Sequence, residues 1–262
     1  MKQEMAVILR SAITSFLVVI AVGPSVGRAD QNSETSEEKP DPSNRLETLL
    51  KAWDKANQNV REIHYVMEWT MEDKVLKGKE VRRLEGFVKK HNLARVDLND
   101  DTGKPMQIIL LNDRTLEMYN IQNKEKLSWE IPISSPGDDP DKGWFEGILA
   151  RIFQEFRELF CFDIPLSEVH RRFDARLRKE DQYWAYIQLI PKTKEERKYL
   201  REVEVVLDQK THFIRQYRAI DVNGNRSICD FQKVELNPTP PITLESISKD
   251  LPREFREVLI PK

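Results

Sequence analysis

Apolar residues near the start of this chain change their spacing once, and the change marks the first two structural elements. Leu46, Leu49, Leu50, Trp53, Ala56, Val60 and Ile63 recur at three- and four-residue intervals, the period of a helix with one buried stripe. Asn44 stands in an N-cap position and Glu47 three residues later completes a capping-box pattern, so the helix is expected to begin near Asn44. Within "IHYVMEWTME" the period drops to two. Ile63, Tyr65, Met67, Trp69 and Met71 alternate with His64, Val66, Glu68, Thr70 and Glu72, which predicts a strand with one bulky apolar face. The helix is expected to pack on the sheet that this strand opens.

Short strand-like runs follow as far as Pro132: "EVRRLEGFVKKH", "LARVDLND", "MQIILLND", "TLEMYNI" and "KLSWEIP". Turn signals at Asn92, Asp100 to Lys104, Asn112 to Arg114 and Gln122 to Lys124 separate them, the spacing of an antiparallel meander. "SSPGDDPDKG" reads as a loop. A second amphipathic helix is expected from about Lys142 to Phe160, heavy in aromatics, and a helical turn around Ser167 to Arg172. Five more strands run from "RFDARLRKE" to "RSICDFQKVEL", the last two joined across Asn223-Gly224, a strong hairpin signal. "NPTPP" ends the sheet, because proline cannot continue a ladder. The expected fold is α+β: a large antiparallel sheet of ten or eleven strands that curls into a half-open barrel, with helices covering its concave face.

The N-terminal region stands apart from this pattern. Lys2 and Arg10 precede the apolar run Ser11 to Val22, and Gly27 and Ala29 are small, which reads as an export signal cleaved after Ala29. The run is short for a membrane span. Residues 30–43 contain no apolar side chain and read as a disordered tether. Residues 44–262 then form one domain, exported to the periplasm or an equivalent compartment and soluble once the signal is removed.

Charge and chemistry narrow the function mainly by exclusion. The whole chain carries −2, and without the signal about −4. Acids and bases interleave, even in "RLRKED" and "KTKEERK", so no basic stripe offers itself to nucleic acid. Cys161 and Cys229 could bridge in an exported protein or stay as two buried thiols, and spacing leaves both open. His64, His91, His170 and His212 stand alone, without zinc spacing, and no nucleophile elbow or glycine-rich phosphate loop is present. No cofactor, metal or catalytic residue is nominated, and the chain does not read as an enzyme.

Several short motifs, in order from about Leu46 to Asn237, resemble the periplasmic lipoprotein-carrier superfamily with the LolA/LolB-like fold. "VREIHYVMEWT" is similar to its helix-to-strand passage, "GFVKKHNLARVDL" to its turn and return strand, and "LNDRTLEMYN" to its strand, turn and Leu-x-x-Tyr. "VEVVLDQKTHFIRQYRAIDVNGNRSICDFQKVELN" resembles its C-terminal meander. The resemblance implies an apolar cavity under a helical lid, lined by Ile63, Tyr65, Met67 and Trp69 and faced by Trp144, Phe145, Phe153 and Phe156. Core packing explains the same stripes equally well. Lys90 stands where the family has a latch arginine, His91 where it has a turn proline, Glu117 where tryptophan is common, and Asp113 where it has a turn glycine. Glu117 is expected to face water.

The resemblance implies a monomeric transport protein of the cell envelope that binds acyl chains or lipid-modified proteins. The alternative is a sensor or adaptor of the same fold that binds a lipid or an envelope protein partner.

Overall fold

A computed structural model of the chain describes residues 42–74, 76–90, 93–112, 115–130 and 166–258. Helix α1 (Pro42–Asn59) leads into β1 (Glu62–Asp73), β2 (Gly78–Lys89), β3 (Leu93–Asn99), β4 (Pro105–Asn112), β5 (Thr115–Asn120) and β6 (Glu125–Glu130). After α2 (Leu166–Arg172) come β7 (Phe173–Glu180), β8 (Trp184–Pro191), the short α3 (Lys194–Arg197), β9 (Leu200–Asp208), β10 (Ile214–Asp221) and β11 (Arg226–Leu236). Helix α4 (Leu244–Ser248) and β12 (Arg256–Val258) complete the order. The fold is α+β, an open and mostly antiparallel sheet of twelve strands ordered β12-β6-β5-β4-β3-β2-β1-β11-β10-β9-β8-β7.

Two expectations need correction. The helix starts at Pro42, a residue suited to a first turn because it has no N–H to leave unpaired. Asn44 is therefore inside the helix, where its carbonyl accepts the Thr48 hydroxyl, and Glu47 pairs with Lys51 instead of capping. The sheet has twelve strands, not ten or eleven, because β12 adds a parallel pairing with β6, Glu257 opposite Lys126. The segment after Asn237 has no alternation that would have announced a strand.

The described chain divides into two compact units. The first contains residues 42–56, 69–80 and 166–230. Its rows are set by register: Ile187 pairs with Val205, Val205 with Tyr217 and Tyr217 with Cys229. One residue along, Gln188 pairs with Glu204 and Glu204 with Arg218, on the opposite, polar face. Leu49, Leu50 and Trp53 of α1 are buried. Arg45 fixes the helix by donating to Glu180 and Gln209, each at 2.9 Å. Trp69 Nε1 donates to Ser227 Oγ at 2.6 Å, so the indole N–H is satisfied inside the core. Gly224 takes the positive φ of the expected hairpin turn, closed by Asp221, whose carboxylate accepts the Asn225 N–H.

The second unit contains residues 57–68, 81–130 as described, and 231–258. Its strands present two apolar faces. On one, Val88, Ala94, Leu111, Leu116 and Trp129 form a transverse row through successive pairings, each of them buried. Tyr65 rests on Gly86 on this same side, which we call the Tyr65 face.

On the opposite face Ile108, Leu110 and Tyr119 pack with Ile242 and Ile247, and Leu251 and Phe255 close over them. The C-terminal segment is thus a strap across the far side of the sheet. Glu62 holds its start by accepting the Ile242 N–H at 2.7 Å while pairing with Lys89 at 3.0 Å. Arg95 donates to the Ile247 carbonyl at 2.7 Å, and Thr243 and Ser246 cap α4 reciprocally. Asn237, in the left-handed region at φ 51°, turns the chain there. Its side-chain oxygen accepts the N–H groups of Arg61 and Glu62.

Candidate functional site

β1 follows the period-two expectation as far as Trp69: Ile63, Tyr65, Met67 and Trp69 are buried and His64, Val66 and Glu68 half-buried, but beyond it Thr70 is buried and Met71 half-buried, the reverse of the expected alternation. Ile63, Tyr65 and Met67 belong to the second unit, and Tyr65 meets Phe231 edge-on at 5.8 Å. Trp69 belongs to the first unit, where Ser227 holds it. Trp144, Phe145, Phe153 and Phe156 lie outside the described residues, as do His91, Asp113 and Cys161.

Lys90, the latch candidate, is the residue that follows the end of β2. Its Nζ donates to the Asn57 carbonyl at 2.8 Å, in the last turn of α1. Its backbone N–H donates to the Arg61 carbonyl at 2.9 Å, which sets the entry of β1 beside the end of β2. A cation is well placed at a helix C-terminus, where carbonyls lack intrahelical partners. An ammonium has three donors but no planar fork, so its grip on a carbonyl is less directional than an arginine's.

Asn57 was not singled out by the sequence pattern. It occupies the buried stripe of α1 between Trp53 and Val60, only 6% exposed. Among the described residues neither Oδ1 nor Nδ2 of Asn57 has a hydrogen-bond partner, and the buried Trp129 Nε1 has none either. An orphaned buried polar group costs about 1–3 kcal/mol, so its retention calls for an explanation. The available signal was a polar residue four positions beyond Trp53 on an apolar stripe.

On the other face of β1, both ring nitrogens of His64 are engaged. His64 stacks on Phe87 at 4.4 Å, with Nε2 at 2.8 Å from Glu85 and Nδ1 at 2.9 Å from Glu235. A protonated ring donates to both carboxylates. The His64 contact, then Lys233, holds the Glu235 carboxyl below the usual range. Glu117 does not face water as expected: it accepts the Tyr119 hydroxyl at 2.7 Å and pairs with Lys126. The strap over Tyr119 encloses that side of the strand, and burial followed by the Glu117 contact pushes the Tyr119 phenol well above its ordinary value. Cys229 is a buried free thiol, raised by burial and so an unreactive one. Among the described residues no group of acids, histidines and cysteines is arranged to hold a metal, and no helix is long and apolar enough to cross a membrane.

No known protein family matches the sequence, and no protein of curated function matches it. Solved structures do resemble it. An uncharacterized conserved protein from Thermus thermophilus is similar at 8% identity and TM-score 0.48, covering 82% of this chain and 98% of that one. The Mycobacterium tuberculosis lipoprotein LppX is similar at 10% identity and TM-score 0.45, over 77% of this chain and 98% of its own. A LolA superfamily protein from Nitrosomonas europaea is similar at 10% identity and TM-score 0.33, over 74% and 94%. This last protein bears the name of the superfamily which the sequence motifs resemble.

Proposed function

We propose that the chain is an exported carrier that binds a lipid, or the acyl chains of a lipid-modified protein, on the Tyr65 face of its second unit. The observation that carries this reading is a continuous apolar face across six neighbouring strands of that unit. Its short helix α4 packs on the opposite face through Ile247. The Tyr65 face stays apolar from Ile63 on β1 to Trp129 on β6. Five strand spacings of about 4.8 Å give it roughly 24 Å, the length of a long acyl chain. Met67 and Met118 add adaptable side chains to it. The motif order shared with lipoprotein carriers supports the same reading.

The test is native mass spectrometry of the chain purified from its own host. Co-purified lipid or acylated protein supports the carrier. A single unacylated protein partner, with no lipid, favours the adaptor reading instead. After delipidation, bis-ANS should bind, and Met67→Glu should remove most of that binding while the far-ultraviolet spectrum stays unchanged.

A further inference from the structure

Leu76 is the most exposed large apolar side chain among the described residues, 80% open to solvent. It stands at the tip of the β1–β2 hairpin, and that tip is braced. Asp73 Oδ1 accepts the Leu76 N–H at 2.8 Å, and Lys77 takes a left-handed φ of 54° to close the turn. The Lys74 N–H donates at 3.0 Å to Asn225 Oδ1, on the neighbouring β10–β11 turn. The Lys74 stem crosses the backbone of Gly224, where an added Cβ would come within 2.9 Å of its Cδ. A fixed turn therefore presents the leucine to solvent.

Charge at this end of the first unit is sorted by depth. Lys74, Lys77 and Lys79 on the hairpin are exposed, as are Lys194 and Lys198 around α3. Asp221 at the end of β10 pairs with Leu200 at the start of β9, so the α3 connection reaches the same end of the sheet. β9 and β1 are three strand spacings apart, roughly 14 Å. The acids here are mostly engaged. Asp73 holds the Leu76 N–H, the buried Asp221 accepts from Asn225, and Glu196 pairs with Arg172. Glu80 is the one exposed acid among the described side chains of this end.

We propose that this end of the first unit docks on an anionic phospholipid surface, with Leu76 entering the headgroup region and the lysines meeting lipid phosphates. An anionic bilayer answers both features at once, because an apolar boundary lies just beneath a layer of negative charge. A nucleic acid would use the lysines and leave Leu76 in water. The docking surface belongs to the first unit and is independent of ligand binding on the Tyr65 face.

The test is co-sedimentation of the chain, as its own host exports it, with two kinds of vesicle. One is phosphatidylcholine alone, and the other contains phosphatidylglycerol in equal part. At low salt the chain should bind the anionic vesicles and ignore the neutral ones, and high salt should release it. Replacing Lys74, Lys77 and Lys79 together by Gln should weaken binding about a hundred-fold, from the usual contribution of a surface cation near anionic lipid. Leu76→Ser should weaken it about ten-fold, as partial burial of a leucine would provide. Both variants should keep the wild-type thermal midpoint and wild-type bis-ANS binding. In the wild type, the Leu76 methyl resonances should broaden in anionic bicelles that carry a spin-labelled lipid, a readout independent of any variant. Equal binding to neutral vesicles overturns the proposal, as do variants that bind like wild type or a Leu76 signal untouched by the spin label. Loss of bis-ANS binding in the variants overturns it too, by assigning the vesicle signal to lipid uptake elsewhere. Binding to neither vesicle also overturns it and leaves the lysines to an acidic protein partner.

Discussion

The hydroxyl end of the Tyr65 ring lies across the backbone of Gly86: a Cβ built on that glycine would overlap the ring's Cζ, Cε1 and hydroxyl oxygen, each closer than 3.0 Å. The glycine is required by its neighbour, since its own φ is not positive. Gly86→Ala should therefore destabilise the protein by about 1–3 kcal/mol, the usual range for an overpacked core. In a double-mutant cycle with Tyr65→Ala the two losses should fall well short of additive. Urea melts of the four proteins check this, and additive losses would mean the ring is not what excludes a side chain there.

Removing the carboxylate of Glu62 should loosen the strap. Glu62→Ala leaves the buried Ile242 N–H without its acceptor and removes the ion pair to Lys89, which keeps only the Ile242 carbonyl, a cost of about 1–3 kcal/mol. The amide of Ile242 and those of α4 should exchange with solvent faster, while amides of β8 and β9 keep their protection. Unchanged exchange at Ile242 would show that the apolar contacts of Ile247 and Phe255 hold the strap unaided.

Glu235 gives acid stability a specific source. Its carboxyl is held below the usual range first by His64 and then by Lys233. A depressed folded-state value contributes stability above the ordinary glutamate value of about 4.3, and that contribution disappears as pH falls through the lower folded value. Wild type should thus be more stable than Glu235→Gln at neutral pH, with the two thermal midpoints converging below that range. A constant gap between them down to strongly acid pH would locate the contribution elsewhere.

Trp69→Phe should cost about 1 kcal/mol or more, because the buried Ser227 hydroxyl then loses the indole donor at 2.6 Å. Pairing it with Ser227→Ala should recover part of the loss, since both polar partners are then gone. Thermal melts of the single and double variants provide the measure.

The strands of this fold were legible because period two survives wherever one face is buried and the other wet. β3, with Ala94, Val96 and Leu98 buried between half-buried neighbours, is the plainest example. Asn223-Gly224 was legible because its turn needs a backbone conformation that few residues adopt readily, and the end of the sheet was legible from the prolines after Asn237. The strap was not legible. Ile242, Ile247, Leu251 and Phe255 are anchored one at a time by a tail with no regular period. Asn57 escaped for the opposite reason: the apolar stripe around it was regular enough that a single polar member passed as a gap. Lys90 was found through its place in a motif, and its partner, a helix carbonyl, has no signature in sequence at all.

The placement of β1 between β2 and β11 has a consequence for how the chain assembles. One neighbour follows it directly, across a short hairpin. The other arrives far later: Trp69 waits for Ser227, 158 positions downstream. The earliest strand to be synthesised is therefore among the last to be completed, and its second edge stays bare while nine other strands are made. Contacts of such long separation slow folding, and an unpaired apolar edge recruits other chains. A ribosome that stops short of β11 would thus yield an aggregating fragment, not a smaller soluble protein.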